Sequence, residues 1–344
     1  MPSLPKFSLL GALVAAIALL ALPTVAGATL VYVKNPMNPA VYAANDNGGG
    51  AFKVGPGSNP KVSPDGDVIA FAQEGSGGKR VLKLAAAAGG GSKTVLTNLQ
   101  DSFYVTFSPD SKLVAAVRGP EIGKGKLVLL DVVSGTLLRT VASGYFSGIS
   151  FSPDGTELVY SVSQSENYPA TSDVFRATVA AGKPVQITKG GNSLDPLWGP
   201  DDQIVFAKQL GAKSRKYGPK NELFLMGPDG KGVKRLTDTE VGPLLIGLFP
   251  TEWSADGSRL LAEFQGQDTS YAVTVNPKTG AQRPVHKTGE QGFVGTAISS
   301  DGSTVLGFTG GFEPGPNHRV ATVPYGGGKL KTLVAGAYEP DWSR

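Results

Sequence analysis

The chain contains no cysteine and only two histidines among its 344 residues. Without a thiol there is no disulfide, no thiolate metal site, no cysteine nucleophile and no lipid-anchored cysteine, so a bacterial lipoprotein is excluded. A Ser-His-Asp site needs one positioned histidine, but no Gly-x-Ser-x-Gly elbow occurs. His286 and His318 therefore read as surface structural residues, and two histidines far apart in sequence make a poor metal set. Charge is also sparse: 17% of residues are charged and the formal net charge is +4. Such a mild excess does not point to nucleic-acid binding. Glycine, by contrast, is abundant, with 47 residues, which suits many short strands joined by tight turns.

One long apolar run exists, at the N-terminus. Lys6 precedes a run from Phe7 to Leu22, Pro23 breaks it, and Ala26-Gly27-Ala28 offers a small-residue cleavage site. The run spans about 16 residues, short of the roughly 20 a spanning helix needs. The pattern predicts a signal peptide over residues 1–28 and export to the periplasm or beyond the cell, with no membrane span in the mature chain. An uncleaved anchor is the alternative. Removing these residues takes away one lysine and no acid, so the charge falls from +4 to +3.

The remainder repeats one phrase. It reads Ser63-Pro64-Asp65-Gly66, Ser108-Pro109-Asp110-Ser111 and Ser152-Pro153-Asp154-Gly155, then more loosely Gly199-Pro200-Asp201-Asp202, Ser254-Ala255-Asp256-Gly257 and Ser299-Ser300-Asp301-Gly302. The aspartates at 65, 110, 154, 201, 256 and 301 are separated by 45, 44, 47, 55 and 45 residues, the period of a four-stranded propeller blade. In the phrase proline presets φ, Asp tolerates the next turn position, and glycine permits positive φ at the end. Short apolar runs follow each turn, such as Val68-Ile69-Ala70-Phe71 and Leu113-Val114-Ala115-Ala116-Val117. A large apolar residue precedes each turn: Val62, Phe107, Phe151, Trp198, Trp253 and Ile298. The third tryptophan, Trp342, stands before Ser343, 44 residues after Ser299, so all three occupy one phase. They are expected between blades in the core.

The last copy ends at Arg344 with only a first strand, whereas segments 29–33, 41–43 and 51–54 are surplus strands before the first full copy. The expected fold is an all-β, seven-bladed β-propeller of four-stranded antiparallel blades over residues 29–344. It closes by pairing the C-terminal strand with N-terminal strands, which hides open sheet edges. Six or eight blades are the alternatives.

The stretch Asn221 to Thr237 (NELFLMGPDGKGVKRLT), the Ser-Pro-Asp-Gly phrases and Pro340-Asp341-Trp342-Ser343 resemble the TolB-type, WD40-like (PD40) propeller repeat. The resemblance covers nearly all of the mature chain and implies the fold more than the function, because unrelated activities share these repeats. TolB itself is a periplasmic protein that binds cell-envelope partners through a chain with a separate N-terminal domain. Here the signal peptide runs straight into propeller strands. Related repeats also cover serine peptidases of the prolyl oligopeptidase type, whose hydrolase domain has no counterpart before Arg344.

Several residue groups are candidates for function. The repeat aspartates read as turn formers. Asp195, Glu252, Glu339 and Asp341 lie in first strands, which line a propeller channel, and would converge on a cation such as calcium. The repeat with the 55-residue spacing carries two long connections. One holds Lys208, Lys213, Arg215, Lys216 and Lys220, and the other holds Leu244, Leu245, Ile246 and Phe249. A basic rim beside an apolar loop fits a protein or acidic-glycan partner; a solvated loop and a self-packed loop are the alternative. Phe103, Phe146, Phe293 and Tyr338 lie five or six residues before the repeat serine, near the channel mouth, where they stack on sugars, anchor a peptide or plug the funnel. The expectation is an exported, non-enzymatic scaffold that needs no cofactor and binds a protein partner. The alternative is a carbohydrate-active or metal-dependent enzyme, or a lectin, working at the channel mouth.

Overall fold

The computed structural model describes residues 29–120, 123–165, 171–211, 220–239, 245–286, 292–310 and 317–343. The predicted signal segment lies outside them. Among the described residues there is no α-helix, only a short 3-10 turn at Ser76–Gly78 and a succession of strands. No described helix is long and apolar enough to cross a membrane.

The simplest sheet is β4(Ser58–Val62), β5(Val68–Glu74), β6(Arg80–Ala86) and β7(Ser92–Thr97), four antiparallel neighbours in sequence order. The same plan recurs in β8(Leu99–Phe107), β9(Leu113–Arg118) and β10(Gly125–Asp131) with the start of β11(Leu137–Phe151). The end of β11 then opens the next unit with β12(Glu157–Ser163), β13(Asp173–Thr178) and β14(Val185–Gln186), because residues 137–144 pair with β10 and 145–151 with β12. Three further units follow. They are β15(Ser193–Trp198) to β16(Ile204–Leu210), β17(Lys220–Met226) and β18(Lys234–Arg235); β19(Leu245–Trp253) to β20(Leu260–Gly266), β21(Ser270–Val275) and β22(Gln282–Pro284); and β23(Val294–Ile298) to β24(Thr304–Thr309), β25(Arg319–Pro324) and β26(Lys331–Ala335). The final strand, β27(Ala337–Trp342), is hydrogen-bonded to β1(Thr29–Lys34), followed by β2(Ala40–Asn45) and β3(Phe52–Pro56). Leu30 faces Trp342 and Lys34 faces Ala337 in that antiparallel pair.

The repeated phrase builds the first hairpin by the same bonds in its five serine copies, whereas Gly199, without a hydroxyl, keeps the bond from its N–H to the Gln203 carbonyl. Ser152 N–H donates to the Glu157 carbonyl, Gly155 N–H to the Ser152 carbonyl, and Glu157 N–H to Ser152 Oγ at 2.9 Å. Ser152 Oγ donates in turn to Asp154 at 2.6 Å. The final turn position is left-handed in all six copies, with φ of 82°, 61°, 71°, 57°, 69° and 69° at Gly66, Ser111, Gly155, Asp202, Gly257 and Gly302. That geometry favours glycine, so Ser111 and Asp202 carry a backbone cost of about 1–2 kcal/mol each.

Burial grades outward along each unit. Second and third strands such as Val114–Val117 and Leu127–Leu130 are sealed on both faces, whereas β14 and β18 are exposed. Neighbouring units meet face to face through apolar clusters. One joins Val205 and Leu223 to Leu248, Trp253 and Leu260. Each large side chain so buried contributes about 1.5–3 kcal/mol. Stacking therefore supplies the stability that an isolated four-stranded sheet lacks.

Candidate functional site

β4, β8, β11, β15, β19, β23 and β27 all contribute to one cavity of about 440 Å³. It opens among the turn residues Pro64, Pro109, Pro153, Pro200 and Ala255, with Trp198, Trp253 and Trp342 in its wall. Polar side chains in the wall include Lys61, Thr106, Ser150, Glu252, Thr296 and Asp341.

The inner strands are irregular at equivalent points. Asn59, Asp195 and Glu339 each stand three residues before Val62, Trp198 and Trp342, and each precedes a proline. All three adopt left-handed backbone, with φ of 49°, 47° and 48°, beside breaks in strand register. The extra residues turn side chains along the strand edge toward the next repeat.

This geometry lets acceptors on one inner strand hold N–H groups of the next. Glu339 Oε2 accepts from Asn59 N–H at 2.7 Å, and Asp341 Oδ2 accepts from Val62 N–H at 2.9 Å. Ser150 Oγ accepts from Trp198 N–H at 3.1 Å, and Glu252 Oε2 from Ile298 N–H at 2.5 Å. Lys61 Nζ lies 3.7 Å from Asp341 Oδ1. Burial raises the pKa of Asp341 against the pull of Lys61. Burial likewise raises that of Glu339, opposed by the Asn59 hydrogen bond and by Lys61.

Asp195 breaks the series. Its N–H donates to Ser161 Oγ at 3.2 Å, but no described residue donates a hydrogen bond to its carboxyl. The residue equivalent to Asn59 in the following repeat is Pro250, which has no N–H to give. The side chain is half-buried. Burial, and then the charge of Glu263, pushes its pKa up to about 7. Glu263 is itself held by Gln265 Nε2 at 2.9 Å and by the Ser270 hydroxyl.

A second polar centre lies at the base of the long connections. Glu222 is fully buried; its Oε1 is 2.5 Å from Lys220 Nζ and accepts from Thr239 N–H at 2.9 Å. Its Oε2 accepts from Thr237 Oγ1 at 2.6 Å, and Arg235 Nη2 stands 3.4 Å from Oε1. Asp173 and Thr188 form the same acid–hydroxyl bond, 2.9 Å, one repeat earlier. The centre ties Lys220, where one connection ends, to Thr239, where the other begins.

The residues singled out from sequence are dispersed. Lys220 is buried instead of lining a basic rim, because Glu222 neutralises it. Lys208 sits over the Phe224 ring at 5.4 Å. Lys213, Arg215, Lys216 and Leu244 lie outside the described residues, as do the side chains of Leu245 and Phe103. Ile246 is exposed and Phe249 half-buried. Phe146 packs on Tyr160 at 5.9 Å, Phe293 is 1% exposed, and Tyr338 lies 5.4 Å from His318. These aromatics are packed between strands, and His318 is itself buried, not a surface residue. Among the described residues no group of three or more histidines, aspartates or glutamates could hold a metal ion. Glu252, Glu339 and Asp341 turn instead to neighbouring N–H groups. Sequence reasoning passed over Glu222, Glu263 and Pro250. A glutamate inside the apolar run Leu260-Leu261-Ala262-Glu263-Phe264 was the available signal for the second of them.

The architecture is that of a TolB-like β-propeller. The chain superposes on the propeller domain of the trilobed protease from Pyrococcus furiosus with a TM-score of 0.65 and 18% identity, covering 90% of this chain and 92% of that one. TolB from Acinetobacter baumannii matches with a TM-score of 0.54 and 16% identity, covering 91% and 82%. A puromycin-hydrolyzing peptidase from Mycobacterium tuberculosis matches with a TM-score of 0.65 and 18% identity over 91% of this chain, but only 52% of that peptidase. In sequence, the uncharacterized peptidase YuxL of Bacillus subtilis (strain 168) is 31% identical over 114 residues, 32% of this chain and 16% of that protein. No family model matches the chain.

These comparisons correct the expectation of a non-enzymatic scaffold. A curated relative is named an uncharacterized peptidase, and the structural neighbours include peptidases and an oligogalacturonate lyase, so the proteins this chain resembles are not named as non-enzymatic scaffolds. The lyase structure holds manganese; the wall carboxylates here, already committed to N–H groups, do not fit such an ion.

Proposed function

We propose that the chain is the exported propeller unit of a peptidase-type enzyme, whose axial channel admits and orients peptide. In this reading the propeller has seven blades, closed by β27 on β1, and begins at Thr29 after removal of residues 1–28. Support for the blade number comes from the inner strands that line the cavity and from the register of Leu30 with Trp342. The observation that carries the functional reading is the cavity itself. About 440 Å³ of space runs between inner strands from every repeat, with an aromatic and proline mouth and polar walls. Such concave, mixed surfaces are the usual form of ligand sites. The similarity to YuxL and to the M. tuberculosis peptidase supports the choice of peptide over other substrates.

The test is hydrolysis of aminoacyl- and peptidyl-4-nitroanilides by the purified full chain, alone and added back to an extract of the source organism depleted of it. Release of 4-nitroaniline by the chain, or a rate restored on adding it back, supports the reading. No release in either arm sinks it.

A further inference from the structure

The seam between the last two full repeats holds a groove of about 470 Å³, separate from the channel. One repeat supplies Arg259, Thr274, Asn276, Gln282 and Arg283, beside β20, β21 and β22, and Tyr325 comes from the end of β25 in the next. The turn at 254–257 divides the groove from the channel mouth: Ala255 lines the channel, whereas Ser258 and Arg259 line the groove. Two arginines face this space, and no acid lines it among the described residues. Tyr325 is fixed, because its Oη accepts from Leu260 N–H at 3.1 Å and donates to the Val275 carbonyl at 3.0 Å. Arg259 lies over that ring, 5.1 Å from its centroid, and donates to the Gly302 carbonyl. Arg283 passes close to Gly327, where a Cβ would stand 3.3 Å from Arg283 Nε. The Arg283 guanidinium is exposed and has no hydrogen bond or ion pair among the described residues. The side-chain acceptors of the groove are already taken. Asn276 Oδ1 accepts from Lys278 N–H at 2.9 Å and from Thr279 N–H at 3.1 Å, and Gln282 Oε1 accepts from Thr239 Oγ1 at 2.7 Å. Asp301, on which the Arg259 charge acts, accepts from Ser299 Oγ at 2.6 Å and Ser303 N–H at 2.9 Å and does not line the groove.

From this geometry we infer that the groove binds a single oxyanion, with the Arg283 guanidinium as its main contact and the Arg259 charge beside it. The planar fork of an arginine matches two oxygens of one anionic group. A cation would meet two guanidinium groups and no carboxylate, and an apolar group would leave the donors of Arg283 unanswered. Tyr325 and Arg259 are held by their own bonds, so only the Arg283 side chain has to be ordered on binding. The site stands whether or not the channel carries peptide. The oxyanion has two sources, a carboxylate of a peptide and free inorganic phosphate.

Magnetic resonance titration of the isotope-labelled full chain at constant ionic strength separates the outcomes. The probes are sodium phosphate, acetyl-Glu-Ala-amide and acetyl-Gln-Ala-amide, and the readout is the set of arginine Nε–H resonances, with that of Arg283 identified by its loss in Arg283→Gln. A saturable shift at Arg283 is expected with phosphate or with the Glu peptide, at least about tenfold tighter than with the Gln peptide, since charge-assisted hydrogen bonds are the strong ones. Whichever anion saturates identifies the source. Arg283→Gln is expected to keep the wild-type melting midpoint, because the side chain is exposed, and to weaken the response left at Arg259 at least about tenfold. Ala281→Glu places a competing carboxylate in the groove and is expected to weaken binding with both arginines intact. Shifts that saturate with neither anion, or binding that survives Arg283→Gln, overturn the inference. Neither result bears on hydrolysis of the nitroanilides, so the channel reading stands or falls apart from it.

Discussion

Thr29 and Ser343 clasp each other: Thr29 N–H donates to Ser343 Oγ at 2.9 Å, and Ser343 N–H returns to the Thr29 carbonyl at 3.0 Å. Thr29 Oγ1 also donates to the Gly66 carbonyl, which joins the first strand to the turn of the first full repeat. Beyond this clasp, Trp342 Nε1 donates to the Ile298 carbonyl, and Glu339 and Asp341 hold N–H groups of β4. Deleting the final six residues removes all of these and the pairing of Leu30 and Val31 with Trp342 and Asp341. The expected result is loss of one cooperative thermal transition for the whole molecule, or a fall of more than about 10 °C in its midpoint, read by circular dichroism. An unchanged midpoint sinks closure through β27.

The proposed export gives a second check, read at the amino terminus. Strand β1 begins at Thr29, directly after the small-residue site at Ala26-Gly27-Ala28. Edman degradation of protein recovered from the periplasm or medium is expected to start at Thr29. A chain that begins at Met1 and stays with the membrane fraction contradicts cleavage.

Turn chemistry is testable one hydroxyl at a time. Ser152 is 3% exposed, and its Oγ both accepts from Glu157 N–H and donates to Asp154. Ser152→Ala leaves that N–H without its partner and is expected to cost about 1–3 kcal/mol in urea unfolding. The hydroxyl also helps hold the Asp154 carboxyl below its ordinary range, as the serines do for Asp256 and Asp301, both near 2. These depressed carboxylates contribute stability that is complete above about pH 4 and is lost as pH falls toward 2.

Glu222 is expected to be the most sensitive single position of the long-connection base. Glu222→Gln leaves the buried Lys220 ammonium without its counter-charge, which costs about 3–5 kcal/mol. Urea unfolding measures this cost, which falls on the Lys220 pair because the amide oxygen of the variant can still accept from Thr239 N–H. Wild-type stability in this variant contradicts the assignment of Glu222 as the shared anchor.

The sign of the pH dependence at Asp195 is opposite to that of the turns. Its folded pKa, about 7, lies above the ordinary carboxyl value of 3.8, so the folded state binds a proton that the unfolded chain has released. Stability is therefore expected to decline as pH rises from about 4 to 7 and to level off above it. Asp195→Asn is expected to flatten this decline in melting midpoints measured across that range. A parallel decline in both proteins removes Asp195 from the explanation.

Much of the fold was legible because it is written in local residues. Pro-Asp-Gly phrases fix hairpins within a few residues, and the recurrence of Trp198, Trp253 and Trp342 at one phase marks the strand that precedes each turn. The candidate site was less legible. Asp195, Glu252, Glu339 and Asp341 looked alike as first-strand acids, yet three of them serve the next repeat and one does not. The difference depends on whether residue 59, 62, 298 or 250 offers an N–H from a strand that lies next door in space. Lys220 was misjudged for a similar reason. Its charge reads as solvated in the sequence, but the Glu222 carboxylate two residues on receives it inside the protein.

By itself, the sequence determined the all-β character, the hairpin turns with their left-handed final residues, and the period near 45, because these follow from φ preferences and apolar alternation within a few neighbouring residues. Only the tertiary structure decided which buried charges are answered. Hydrogen-bond donors reach the carboxylates from strands about one repeat away, or from the opposite end of the chain as Asn59 does for Glu339, and no local pattern encodes the distance between them.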